Sequence, residues 1–142
     1  YWNKPEATAE AIRDGWFHTN DMGRRDEEGF LSVIGRKQEL IISAGENIYP
    51  AEVERAIQAL PAVKEAAAVA MPDEARGEVA AAFVMLHEGQ SMSEEQIIGA
   101  LDGQIARFKI PKKVVFMQDF PRNPAGKVLK RELKKQLWPA EK

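Results

Sequence analysis

A chain of 142 residues, 44% apolar and 30% charged, has the composition of an ordinary soluble domain and is long enough for one main core plus a short appendage. It has no cysteine and only two histidines, His18 and His87, which excludes a disulfide framework and a thiolate zinc site, leaves no set of histidines for a metal, and suits a cytoplasmic protein. The net charge of −2 hides an asymmetry: 11 Lys and Arg stand against 3 Asp and Glu from Arg107 to Lys142, and 9 against 19 before it. The basic C-terminal part therefore invites a polyanionic partner, whether phosphate, nucleic acid or a coenzyme. No apolar run approaches the roughly 20 residues that cross a bilayer, no secretory leader pattern is present, and a start at Tyr1 reads as a piece of a longer protein.

In chain order, KPEATAEAIRDG predicts a short polar helix with Pro5 in its first turn and Gly15 beyond its end. DMGRRDEEGFLSVIGR predicts a β-hairpin turning at DEEG, and β-rich sequence resumes at residues 40 to 42. Between them Arg36, Lys37, Gln38 and Glu39 form a charged break that suggests a joint between two bodies. SAGENIYPAEVERAIQALP predicts a glycine loop leading into a helix that starts at Pro50, buries Val53, Ala56, Ile57 and Leu60, and stops at Pro61.

EAAAVAMPD and EVAAAFVMLHEG are near-continuous apolar runs of strand length, predicted as interior strands. Ser93 to Gln96 has the capping-box pattern, and Ile97, Leu101, Ile105 and Phe108 predict a helix running to about Lys109, before Pro111. KVVFM predicts a strand, and after Gly126 a last helix carries a stripe of Leu129, Leu133 and Leu137 beside a basic stripe of Lys127, Lys130, Arg131 and Lys134. The expected fold is α+β: a small sandwich of a short, mainly three-stranded sheet with helices packed on it, preceded by a β-hairpin at a hinge.

Three places could carry chemistry. In PAGK, Pro124 and Gly126 order the backbone so that Lys127 projects from a loop ahead of a helix, where a cation gains nothing from the helix dipole. A solvated surface lysine is the plainer reading, and Lys130, Arg131 and Lys134 keep it. In SAGENIYP, Gly45 permits close approach of a ligand or is simply a turn. Asp21 and Arg36, at the two ends of the hairpin sequence, could hold ribose hydroxyls and phosphate or form a surface ion pair.

Taken in order, GWFHTNDMG, GFLSVIGRKQELIISAGENIYPAEVE, AVAMPDEARGE and FPRNPAGKVLKREL resemble the C-terminal portion of the adenylate-forming enzymes, from about Tyr1 to Leu137. ENIYPAEVE and IPKKV are most similar to the acyl-CoA synthetase branch, which acts on fatty, aryl or other organic acids. The resemblance implies an ATP-dependent acid–CoA ligase (AMP-forming) as the full-length parent, which joins a carboxylic acid to AMP and then lets coenzyme A displace the AMP. It implies that residues 1–36 end the large N-terminal adenylation domain and that 37–142 form a C-terminal lid, inactive alone. It also implies magnesium held in the N-terminal domain, with acid, ATP and coenzyme A as partners and no nucleic acid.

Residue by residue, Lys127 matches the family's catalytic lysine, Asp21 and Arg36 its nucleotide-binding pair, Gln38 its hinge, and Ser43, Ala44, Gly45 and Glu46 the strip that lines the coenzyme A tunnel. Asn20 and Ala44 stand where glycine is usual, and Gln38 where aspartate or lysine is usual. The competing readings are a freestanding basic module that binds nucleic acid, and a small regulatory α+β domain that binds a ligand or dimerises.

Overall fold

The computed structural model describes residues 1–138, so the last four residues of the expected lid lie outside it. The chain forms two compact units, Tyr1–Gln38 and Glu39 onward. In the first, α1 (Pro5–Ala11) begins at Pro5, whose missing N–H is no loss in a first turn, and runs into a tight hairpin of β1 (Ile12–Arg13) and β2 (Trp16–Phe17). A second hairpin pairs β3 (Asp21–Arg25) with β4 (Leu31–Arg36), closed where the Asp26 carboxylate accepts the Phe30 N–H at 2.8 Å. None of these 38 residues is buried. Trp2, Trp16, Phe30, Leu31 and Val33 are all more than 60% exposed.

The second unit holds the core. A 3-10 turn at Lys37–Glu39 leads to β5 (Ile41–Ser43) and β6 (Glu46–Ile48), then α2 (Pro50–Gln58), β7 (Val63–Asp73), β8 (Gly77–Leu86), α3 (Glu94–Ala100), β9 (Lys113–Phe116) and α4 (Lys130–Lys135). The long antiparallel β7–β8 pair is the spine, and β9 runs parallel to β8 along its other side, with β5–β6 extending the sheet at Ser43 opposite Gly77. The expected short, mainly three-stranded sheet is thus extended by a short hairpin into a five-stranded one. Among the described residues no helix is long and apolar enough to cross a membrane.

Alternation along the spine builds two cores, because successive strand side chains face opposite ways. Ala66, Ala68, Ala70, Ala80, Ala82 and Val84 meet Val53 and Ile57 of α2 and Ile97 and Leu101 of the α3 segment. Ala67, Val69, Phe83 and Met85 meet Phe120 and Leu133, with Leu137 at the rim. Covering on both faces explains why the two strands read as unbroken apolar runs.

Four local details differ from the sequence expectation. α3 opens with the capping box as predicted, Ser93 Oγ accepting the Gln96 N–H and Gln96 Oε1 accepting the Ser93 N–H, but it stops at Ala100. Gly103 at φ +76° breaks it, and Phe108 reaches the same core from a separate 3-10 turn at Arg107–Lys109. The segment read as a glycine loop is the β5–β6 hairpin: Ala44 (φ +50°) and Gly45 (φ +85°) both take positive φ, as a type I′ turn requires. α4 starts at Lys130 rather than just after Gly126.

Finally, β7 is interior by its faces but an edge by its hydrogen bonds, since among the described residues it pairs only with β8. Its open edge is covered by side chains: Glu54 accepts the Ala68 N–H at 2.8 Å, Trp138 Nε1–H donates to the Ala70 carbonyl at 3.0 Å, and Gln58 donates to that of Ala66 at 3.4 Å. Such cover removes a template for strand addition.

Leu133 is fully buried and is the α4 anchor of the second core. Leu133→Ala should lower stability by about 2–5 kcal/mol, read as a urea midpoint shift; a change within about 0.5 kcal/mol would contradict α4 as an integral layer.

Candidate functional site: a stapled lysine loop, a hairpin ion pair and a strained turn

Lys127 sits in a loop that its own sequence closes. Asn123 Oδ1 accepts the N–H groups of Ala125 (3.0 Å) and Lys127 (2.9 Å), while the Asn123 backbone accepts from Gly126 N–H (2.9 Å) and donates to the Lys127 carbonyl (2.9 Å). Asparagine closes such turns because its side-chain amide mimics a peptide two residues on, and Gly126 supplies the φ of +79°. Lys127 is exposed. Of the four cations in this basic stretch it alone makes no ion pair among the described residues; Lys130, Arg131 and Lys134 are each engaged.

Lys130 is not the plain surface lysine expected. It is 23% exposed and lies 2.7 Å from Glu39 Oε2 and 2.8 Å from Glu54 Oε1. Burial, the largest single influence, draws its pKa down, but Glu54 and Glu39 together outweigh burial and hold the ammonium above its ordinary value. One cation thereby ties α4 to α2 and to the residue that opens the second unit. Nothing in the sequence marks it, because its partners are 91 and 76 residues away and only the fold brings them together.

Asp21 and Arg36 are directly opposite in the β3–β4 register, with Nε 3.5 Å from Oδ1. Both are accessible, so the pair stabilises little in water and is free to exchange its partner for a ligand. With Phe17, His18, Asn20 and Gln38 they line one concavity of the first unit. Three of the sequence-derived candidates, Asp21, Arg36 and Gln38, thus share a surface. Asn20 adopts φ +60°, which accounts for asparagine where glycine is usual: it is the side chain that best tolerates the left-handed region.

The strip at 43–46 divides. Ala44, Gly45 and Glu46 are exposed on the turn, whereas Ser43 is wholly buried beneath it and its hydroxyl has no hydrogen-bond partner among the described residues. The turn and the lysine loop are far apart on the spine. Ser43 lies against Gly77 at one end of β8, while the lysine loop is tied to Glu65, opposite Met85 near the other end. Eight residues of strand separate these anchors, roughly 26 Å at about 3.3 Å per residue.

This architecture is that of a small α+β domain with two candidate edges, and comparison with known proteins identifies the class. Residues 52–127 match the model of the AMP-binding enzyme C-terminal domain, and the chain belongs to that family. It is 48% identical over 136 residues to the long-chain-fatty-acid–CoA ligase FadD13 of Mycobacterium tuberculosis, covering 96% of this chain and 27% of that protein. It is 50% identical over 135 residues to the 2-succinylbenzoate–CoA ligase of Bacillus mycoides, covering 95% and 28%. Among solved structures, ATP-bound MatB from Rhodopseudomonas palustris aligns with a TM-score of 0.86 at 43% identity, over 96% of this chain and 27% of that one. The chain therefore spans about a quarter of the length of these relatives.

Two outcomes test the local geometry. Ala44→Gly should raise stability by about 0.5–1 kcal/mol by relieving a left-handed alanine, a higher melting temperature being the readout and a lower one the contradiction. For Lys130, a pKa raised on folding contributes stability that is fully present below the ordinary lysine value and is lost as pH rises through the folded value. Urea unfolding of Lys130→Met should show a deficit of about 1–3 kcal/mol at pH 7 that shrinks above about pH 10.5; an unchanged deficit at pH 11 would contradict the ion triad.

Proposed function

We propose that this chain is the moving C-terminal part of a cytoplasmic, ATP-dependent acid–CoA ligase (AMP-forming), in which residues 1–36 complete a large adenylation domain and residues 37–142 form the lid. The observation that carries the reading is Lys127: an ordered, exposed ammonium on a closed loop, with every other cation of its stretch engaged by a carboxylate. The coreless first unit, with five large apolar side chains in solvent, supports its assignment to a larger body that covers them. ATP, coenzyme A and a carboxylic acid are the proposed substrates, as the names of the relatives suggest.

In the first half-reaction the acid's carboxylate oxygen attacks the α-phosphorus of ATP and pyrophosphate leaves. Lys127 Nζ lies against the attacking carboxylate and α-phosphate and offsets the negative charge developing there. Because its loop is already ordered, little reorganisation accompanies the reaction, which is the condition for electrostatic catalysis. Asp21 accepts hydrogen bonds from the ribose hydroxyls, and Arg36 exchanges Asp21 for phosphate oxygens.

In the second half-reaction the coenzyme A thiol sulfur attacks the acyl carbonyl and AMP departs. The Ala44–Gly45 turn, whose glycine lacks a side chain, lets the thiol arm pass, flanked by Glu46 and backed by Ser43. Anchors about 26 Å apart on one rigid sheet cannot serve the same site in one orientation. The lid therefore turns about Gln38 between the half-reactions, a rigid-body hinge motion. Magnesium, which such chemistry uses to neutralise pyrophosphate, is assigned to the adenylation domain; among the described residues no three His, Asp or Glu side chains converge. The nucleic-acid reading loses support, because Phe120 is buried, Phe108 packs on the core and most of the basic side chains are paired.

Full-length protein and its Lys127→Ala variant, assayed over a panel of fatty and aryl acids, test this. Pyrophosphate exchange should fall at least 100-fold in the variant, while thioester formation from supplied acyl-adenylate is largely kept. Wild-type exchange by the variant would refute the role of Lys127.

A further inference from the structure

The Asn123 staple orders the loop internally but does not fix it to the domain; a second device does that. Arg122, one residue before the staple, sends its guanidinium in three directions. Nη1 donates to the Gly126 carbonyl at 3.1 Å, Nη2 binds Glu65 Oε2 on β7 at 2.5 Å, and Nε faces Asp119 Oδ1 at 3.8 Å. The Gly126 carbonyl belongs to the peptide that joins Gly126 to Lys127, so one planar group links the backbone immediately before the lysine to the central sheet. Arg122 and Val128 also form an isolated antiparallel bridge, which closes the base of the same loop.

We propose that Arg122 is a positioning residue for the adenylation half-reaction: bound to Glu65, it holds the Gly126–Lys127 peptide so that the Lys127 ammonium is delivered in one place. The inference rests on the role of Lys127 proposed above. We assign Arg122 to holding the loop rather than to binding substrate, because its two terminal nitrogens already bond the Gly126 carbonyl and Glu65, with Asp119 beside Nε. A guanidinium suits the task because its rigid fork spans two acceptors at once, whereas a lysine in its place offers a single ammonium that can hold Glu65 or the carbonyl but not both in this geometry. Freed from β7, the loop keeps its internal hydrogen bonds but samples positions on the scale of an ångström, and misplacement of that size costs about 100-fold in rate.

The test uses the full-length protein with Arg122→Ala, Arg122→Lys, Lys127→Ala and the double variant, measured by pyrophosphate exchange with an acid from the panel that the wild type turns over. Arg122→Ala should lower kcat about 10- to 100-fold with KM for ATP within about twofold. Arg122→Lys should fall between it and wild type, and thioester formation from supplied adenylate should be kept. The double variant should be no slower than Lys127→Ala, since a residue that acts through another adds nothing once that residue is gone. Glu65→Gln, which keeps Arg122 and its loop bonds, should reproduce a smaller kcat-only loss and guards against a folding defect in Arg122→Ala. Wild-type exchange by Arg122→Ala beside a crippled Lys127→Ala would overturn the positioning role alone. Equal loss of both half-reactions, or additive loss in the double variant, would overturn it too. An active Lys127→Ala would instead remove the reading beneath it.

Discussion

Ten registered pairs between Val63–Asp73 and Gly77–Leu86 make the β7–β8 ladder the constraint on which the rest of the second unit depends. Both faces of the ladder are covered, so its alanines are in contact on one side with α2 and α3 and on the other with α4 and the segment leading to it. Small side chains on a sheet let helices sit close, and close helices are what allow Glu54 and Gln58 of α2 to reach the strand edge itself. The same ladder sets the spacing of the two candidate edges. The β5–β6 turn joins at Gly77 and the lysine loop is tied at Glu65, so a rigid spine holds the two apart.

Charge placement then decides which cation of the stretch from Lys127 to Lys135 is free. Six basic side chains between Lys109 and Lys135 are engaged by carboxylates of the second unit, and the strongest case is Lys130, held between Glu39 and Glu54. The effect is subtractive. Of the five lysines and arginines from Lys127 to Lys135, Lys127 alone makes no ion pair among the described residues, on a loop built from Asn123, Gly126 and Arg122, while its neighbours are engaged by carboxylates. Lys130 further links α4 to Glu39, the first residue of the second unit and the one next to Gln38.

Much of this was legible in the residues. The period of Val53, Ile57 and Leu60, the Ser93 capping box and the apolar runs at 66–70 and 79–85 each name their element, because local spacing and burial agree there. Sequence failed where one backbone angle or one distant partner decides. The apolar period of α3 continues through Ile105 and Phe108, yet a left-handed Gly103 ends the helix, and those side chains reach the core by another path. The 41–48 hairpin was hidden because alanine occupies a turn position that normally calls for glycine or asparagine. Burial of Lys130 and the Trp138 cover of β7 depend on tertiary neighbours 68 or more residues away. The candidate site residues came from motif resemblance, and the geometry adds that Lys127 is exposed on an ordered loop and makes no ion pair among the described residues.

Lysine labelling in the full-length protein examines that availability most directly. With a short-pulse acetylating reagent and mass spectrometry, Lys127 should label rapidly in the free protein and be protected when ATP and a turned-over acid are both bound, whereas Lys130 stays slow throughout. Labelling of Lys127 at one rate with and without both substrates, or labelling of Lys130 as fast as Lys127, would contradict the account.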